Sequence, residues 1–207
     1  MKYFILVFLL LCITEAFSQQ PEAALKEKKG EWIFTAYFGN ATLTAKKSFK
    51  VNANVAGGFI GKEFVVSNSF SLITGITNQH VRASYNDTQG LQSFITNNSL
   101  QLPVTARYSG DFESGFSYFV SFGGYGSYLY SATVENEISG QDDKIKGLGF
   151  NFGLVADIGI KKYFTEHLSI SVGLKTQGDQ FQSYKDDKQE FELTNVYLFE
   201  VGIGYRF

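Results

Sequence analysis

The sequence predicts an all-β protein, an eight-stranded antiparallel up-and-down transmembrane β-barrel. Three observations predict it. Phe (21) and Tyr (12) are abundant, Gly (21) is common and Pro (2) is rare, a composition that suits pleated surfaces. From Gly30 onwards, segments of alternating apolar and polar residues recur between turn signals. Beyond the N-terminal run, no stretch approaches the roughly 20 apolar residues of a membrane helix, so insertion must use strands.

The chain opens with Met1-Lys2, one cation ahead of a short apolar run through Ile13, the pattern of a secretory signal. Ala16 and Ser18 place cleavage between Ser18 and Gln19, which makes residues 1–18 the signal peptide. Residues 19–29 form a polar periplasmic leader, and 30–207 the barrel. Cys12 is the only cysteine and leaves with the signal, so the mature chain has no disulfide. Leu11 stands where a lipid-attachment site would need a small residue. A net charge of −2 gives no reason to expect nucleic acid as a partner.

Strands are predicted over 31–44, 50–64, 69–84, 93–108, 115–135, 147–163, 168–182 and 190–207. The connections alternate. Val66–Asn68, Ser109–Asp111 and Phe164–Glu166 are short, whereas 85–92, 136–146 and 183–189 are longer and polar, and 45–49 carries Lys46 and Lys47. Short turns on one side and longer loops on the other are the habit of outer-membrane barrels. The phase puts both termini on the periplasmic side.

Successive side chains of a strand point to opposite faces. In the last strand, Phe191, Leu193, Tyr197, Phe199, Val201, Ile203, Tyr205 and Phe207 share one face, interrupted by Asn195. Leu148, Phe150, Phe152, Leu154, Ala156, Ile158 and Ile160 do so in the sixth. The opposite faces are rich in Gly and Ser, as a crowded lumen requires, and Tyr108, Tyr128, Tyr130, Tyr205 and Phe207 suit interfacial girdles. The apolar faces are therefore expected to meet lipid. Lys62, Arg107, Asp157, Lys161, Lys175, Glu200 and Arg206 are expected to form a structural polar network in the lumen. Val201, Ile203, Tyr205 and Phe207 read as a terminal signal for barrel-assembly machinery.

Catalytic chemistry finds little support. His80 has Ser84 four residues on, and His167 falls in a turn, with no serine–histidine–acid spacing. A lipid A-modifying barrel enzyme is the remote alternative. The pair Asp142-Asp143 matches no calcium loop, and no cluster has metal-ligand spacing. No catalytic residue, metal or other cofactor is expected.

Leu100-Gln101-Leu102-Pro103-Val104-Thr105-Ala106-Arg107-Tyr108 resembles the fourth strand of PorT-like outer-membrane barrels, part of the outer-membrane β-barrel domain families common in Bacteroidetes. Phe122–Ala132, Phe152–Ile160 and the ending Val201–Phe207 are similar to later strands of that family, and Phe17-Ser18-Gln19 to its signal cleavage. The resemblance implies an eight-stranded barrel in the outer membrane of a Gram-negative bacterium. It supplies no catalytic residue. The expected partners are outer-membrane lipid, the assembly machinery and a protein meeting the external loops or the periplasmic rim. The expected state is a monomer. Two roles follow, a structural or loop-mediated one and an accessory role in a secretion or transport complex.

Overall fold

Alternation with period 2 gives each strand one face for lipid and one for the interior, and eight such strands close on themselves. The computed structural model describes residues 30–45, 49–86, 92–112, 115–136, 142–182 and 191–207. The predicted signal peptide, the leader and the loops at Lys46-Lys47 and 183–189 lie outside the described residues. The strands are β1 (Trp32–Ala45), β2 (Phe49–Val65), β3 (Phe70–Asn86), β4 (Gln92–Asp111), β5 (Phe116–Asn136), β6 (Asp142–Tyr163), β7 (Leu168–Gln182) and β8 (Phe191–Tyr205). Each pairs antiparallel with the next, and β8 pairs with β1, from Trp32 opposite Tyr205 to Ala45 opposite Phe191. Closure leaves no edge strand to aggregate.

The first and last described residues, Gly30 and Phe207, lie at one end of the ring with the turns 66–69 and 164–167 and the connection from Phe112 to Gly115, here called the turn end. The opposite end is the loop end. Two expected connections differ from those found. Ser109–Asp111 belongs to β4, so the turn comes later, and residues 142–146 of the expected loop 136–146 are the start of β6. Both segments pair with β5, Asp111 with Ser117 and Lys146 with Ser131, and polar composition alone does not stop a strand that has a partner.

The outer wall is apolar. Phe38 is 61% exposed and Leu174 62%, and Phe34, Ile60, Leu102, Phe122, Phe152, Ile158 and Ile203 are exposed with them. The outward apolar run spans seven residues on β1 (Trp32–Phe38) and β7 (Leu168–Leu174), nine on β4 (Leu100–Tyr108) and eleven on β8 (Tyr197–Phe207); at about 3.3 Å per residue and a tilt of about 40°, a nine-residue run is about 23 Å tall, close to the band of outer-membrane barrels. Polar residues such as Asn40, Asn54, Asn78 and Asn98 follow it towards the loop end. Aromatic rings mark the turn-end rim, where Phe70 meets Tyr108 at 5.2 Å and Tyr205 meets Phe207 at 5.0 Å. Tyr128 and Phe150 pair at 4.9 Å nearer the loop end.

Two orientations correct the sequence reading. Lys62 belongs to the outer wall, not the lumen: its ammonium lies 5.9 Å from the Trp32 ring and 5.4 Å from Phe64. The long stem of a lysine lies along apolar surface while its charge reaches the rim, and the neighbouring Glu63 points inward instead. Leu193, which alternation places on the lipid face, packs against the interior cluster. The cause is a bulge at Asn40/Thr42 of the β1–β8 ladder, where Asn195 takes φ 50. One extra residue inverts the alternation on either side of it.

The interior also departs from expectation, since Gly, Ser and ionic residues fill only part of it. Towards the loop end, Leu43, Val55, Val81, Ile95, Ala132 and Val196 form a buried apolar cluster with Tyr37 and Leu198. Large inward side chains fit because glycines face them. A Cβ at Gly153 would overlap the Tyr125 ring, whereas one at Gly124 would meet only the Gly153 carbonyl oxygen at 3.4 Å. Gly153→Ala is therefore expected to destabilise the barrel by about 1–3 kcal/mol, and Gly124→Ala to stay within about 0.5 kcal/mol of the parent. Urea unfolding of the refolded barrel distinguishes the two, and equal midpoints would contradict the packing.

Candidate functional site

Charge inside a ring this narrow has to be matched by charge or hydrogen bonds from the same ring. At the turn end, Lys161 on β6 bonds Glu31, just before β1, and reaches Glu63 on β2 at 3.2 Å. Ser71 on β3 donates to Glu63, and Ser169 on β7 to Glu31 at 3.3 Å. Arg206, just past β8, lies 3.6 Å from Glu31 and also donates to the Tyr163 hydroxyl. A second cluster joins β4, β5 and β6. Arg107 Nε donates to Ser121 Oγ at 3.0 Å, Ser121 donates to Asp157 at 2.6 Å, and Arg107 lies 3.6 Å from Asp157. The Arg107 guanidinium also sits 4.0 Å from the Phe119 ring centre. Between them the two clusters tie all eight strands or their flanking residues together.

Lys175 and Glu200 stand at mid-height and share a small cavity with Arg107 and Asp157. The Lys175 ammonium is 5.4 Å from the Tyr37 ring. Above them Gln79 accepts amide hydrogens from Gln101 at 3.0 Å and from Gln177 at 2.7 Å. Six of the seven residues expected in the lumen network thus line it, and Lys62 does not. Glu31, Glu63 and Asp179 were missed. Asp179 accepts from Tyr125 at 2.8 Å, from Asn151 at 3.0 Å and from the Leu193 amide at 2.9 Å. It does so just beyond Gln177↔Val196, where the recorded β7–β8 pairing ends. The inward parity of Glu31 with Ile33 and Tyr37 was the only sign of its place.

This arrangement can bind its own strands together but offers little room for a passenger. The mid-height cavity and the turn-end cavity by Glu63, Lys161 and Arg206 are each about 40 Å³, room for a few waters at most. On the outer wall, His80 bonds Asn98 through Nδ1 at 2.8 Å. Ser84 lies two outward positions further along β3. His167 bonds the Arg206 carbonyl at 2.9 Å and stacks on Tyr205. Val201, Ile203, Tyr205 and Phe207 all face outward. Asp142 and Asp143 open β6.

A family model described as outer membrane protein beta-barrel domain matches residues 17–178. The chain belongs to this family. As a member of the outer membrane β-barrel family it also has solved structures of similar fold. The outer membrane protein OprG from Pseudomonas aeruginosa aligns over 87% of this chain and 97% of its own, at 13% identity and a TM-score of 0.52. That likeness concerns the fold. Neisserial surface protein A covers 87% of this chain and 100% of its own at 12% identity and a TM-score of 0.49. The outer membrane protease OmpT from Escherichia coli covers 86% and 97% at 9% identity and a TM-score of 0.48. No curated protein matches the chain.

Lys161→Met tests the turn-end cluster. Removing the shared cation leaves Glu31 and Glu63 buried without it, a loss expected to cost about 3–5 kcal/mol. Ser169→Ala, which removes one neutral donor, is expected to cost about 1 kcal/mol. Unfolding midpoints in urea measure both, and a Lys161→Met midpoint equal to the parent's would refute the pairing.

Proposed function

We propose that the protein is a non-enzymatic outer-membrane barrel of a Gram-negative bacterium that works through its external loops and its lipid-facing wall, not by conduction. In this reading the turn end, with both termini, faces the periplasm. The observation that carries it is the apolar cluster of Leu43, Val55, Val81, Ile95 and Val196, which is packed inside the loop-end half of the barrel beyond the charged layer. A hydrated ion crossing that cluster would shed water against apolar side chains, which costs several kcal/mol. The remaining working surfaces are the rims and the wall. The accessory role in secretion implied by the PorT-like resemblance would then also act through a rim, with cargo passing elsewhere.

The test has two readouts. Purified barrel in planar bilayers is expected to give no steady conductance. Variants with replaced loops that still fold, judged by heat-modifiable gel migration, are expected to lose the cell-surface interaction of the parent. A steady single-channel step would overturn the sealed-lumen reading, and loop-independent surface binding would overturn the loop reading.

In the same reading, the outward apolar stripe Val201, Ile203, Tyr205 and Phe207 serves as an assembly signal. Phe207→Ala is expected to lower outer-membrane yield in cells while leaving refolding in detergent unchanged. Normal yield in cells would remove the signal.

A further inference from the structure

We propose that the loop-end outer wall of β2–β4 is a binding site for the phosphorylated headgroup of an outer-leaflet lipid. The inference rests on the outer-membrane placement above and adds a specific ligand site to it.

Arg82 and His80 stand on one face of β3, two residues apart, directly above the last apolar outward residue pair Leu72 and Ile76 and the polar Asn78. Register places Asn54 opposite Arg82 and Ala56 opposite His80. On the other side Asn98 lies opposite His80 and Thr96 opposite Arg82. Such cross-strand neighbours are about 5 Å apart. The polar groups therefore form one patch at the edge of the apolar belt.

The patch is arranged to meet an anion. Arg82 has no carboxylate partner among the described residues, and its guanidinium rests 4.7 Å from the Phe94 ring centre. Glu135 on β5, opposite Phe94, makes no ion pair with it among the described residues. The bond from His80 Nδ1 to Asn98 fixes the imidazole and leaves Nε2 directed away from that partner. Arg presents a planar fork of donors matched to phosphate oxygens.

The wall below is shaped for a chain. Outward positions Ala56 and Gly58 of β2 carry almost no side chain, while Phe38 on β1 and Ile60 and Ile76 stand exposed around them. Phe38 lies directly opposite Ala56. The relief is a shallow groove along β2 running down from His80 and Arg82 into the belt. Its occupant is therefore amphipathic: phosphate at the rim and an acyl chain over Ala56 and Gly58. A soluble phosphate compound would use only the upper half.

The experiment uses the full barrel in phosphatidylcholine nanodiscs containing lipid A, with retained lipid A read by native mass spectrometry. Arg82→Gln combined with His80→Gln is expected to reduce retention by about tenfold, as loss of charge-assisted hydrogen bonds worth roughly 1.4 kcal/mol implies. Arg82→Lys, which keeps the charge, is expected to lose less. Ala56→Phe is expected to reduce retention with the polar patch intact. Heat-modifiable migration verifies that each variant is folded. Equal retention by parent and double variant would overturn the proposal. So would full displacement of lipid A by inorganic phosphate, or a dimer of the barrel that covers this wall. A conducting lumen would sink the sealed-barrel reading and leave this result untouched.

Discussion

The width of an eight-stranded ring governs the rest of the molecule. A sheet closed at this strand number encloses a space that its own side chains fill, so every inward residue must find a partner among the others. Lys161 shows how tightly that rule binds. Its ammonium is shared by Glu31, just before β1, and Glu63 of β2, while Arg206, just past β8, takes the other side of Glu31. The residues that begin and end the barrel are thus linked by charge at the point where β1 and β8 must meet. The ladder closes the ring, and the buried cluster fixes which ends are brought together.

The interior has two layers with different physics. The turn-end layer is ionic, and ion pairs taken out of water gain little net stability even when well formed. The loop-end layer around Leu43, Val55 and Val196 is an apolar cluster. In a bilayer the outer wall gains no hydrophobic energy from contact with lipid rather than with another apolar surface. The inner cluster is different, because any opening of the loop end would admit water to it. Apolar packing inside the barrel therefore stabilises the end that rises towards the loops, while the ionic layer sets strand arrangement at the other. Sealing of the lumen is a by-product of that packing.

Much of this architecture was legible in the sequence, and the exceptions share a cause. Strand number, order and most of the lipid face followed from period-2 alternation, which closed sheets preserve along every strand. Lys62 failed because β2 offers Lys62-Glu63 in adjacent positions, and alternation alone does not say which of two neighbouring charges points in. Leu193 failed because the bulge at Asn195 is a backbone event, and the sequence shows only an asparagine in an apolar series. The apolar cluster was hidden for a related reason: Val196 and Leu198 are scattered among the Gly and polar residues of one strand, and only closure of the ring brings them onto Val55 and Val81 of others. The partners of Lys161 depend on which strands face one another across the lumen, information that no single strand carries.

The two rims of the outer wall treat cations differently, and the difference bears on their surroundings. At the turn end, Lys62 lies against Trp32 and Phe64, and Lys162 lies 4.5 Å from the Phe116 ring centre and 5.8 Å from that of Phe164. A lysine presents a strongly hydrated point charge on a flexible stem, so these side chains suit a rim where water and headgroups exchange freely. At the loop end the described outward cation of β3 is an arginine backed by an aromatic ring, beside a histidine held by an asparagine. Holding a guanidinium against Phe94 reduces its freedom before any ligand arrives, which lowers the ordering cost of binding. Geometry of that kind favours a fixed, bidentate anion over bulk solvent. Lys62 and Lys162 are built to float at an interface, and Arg82 to hold something in place.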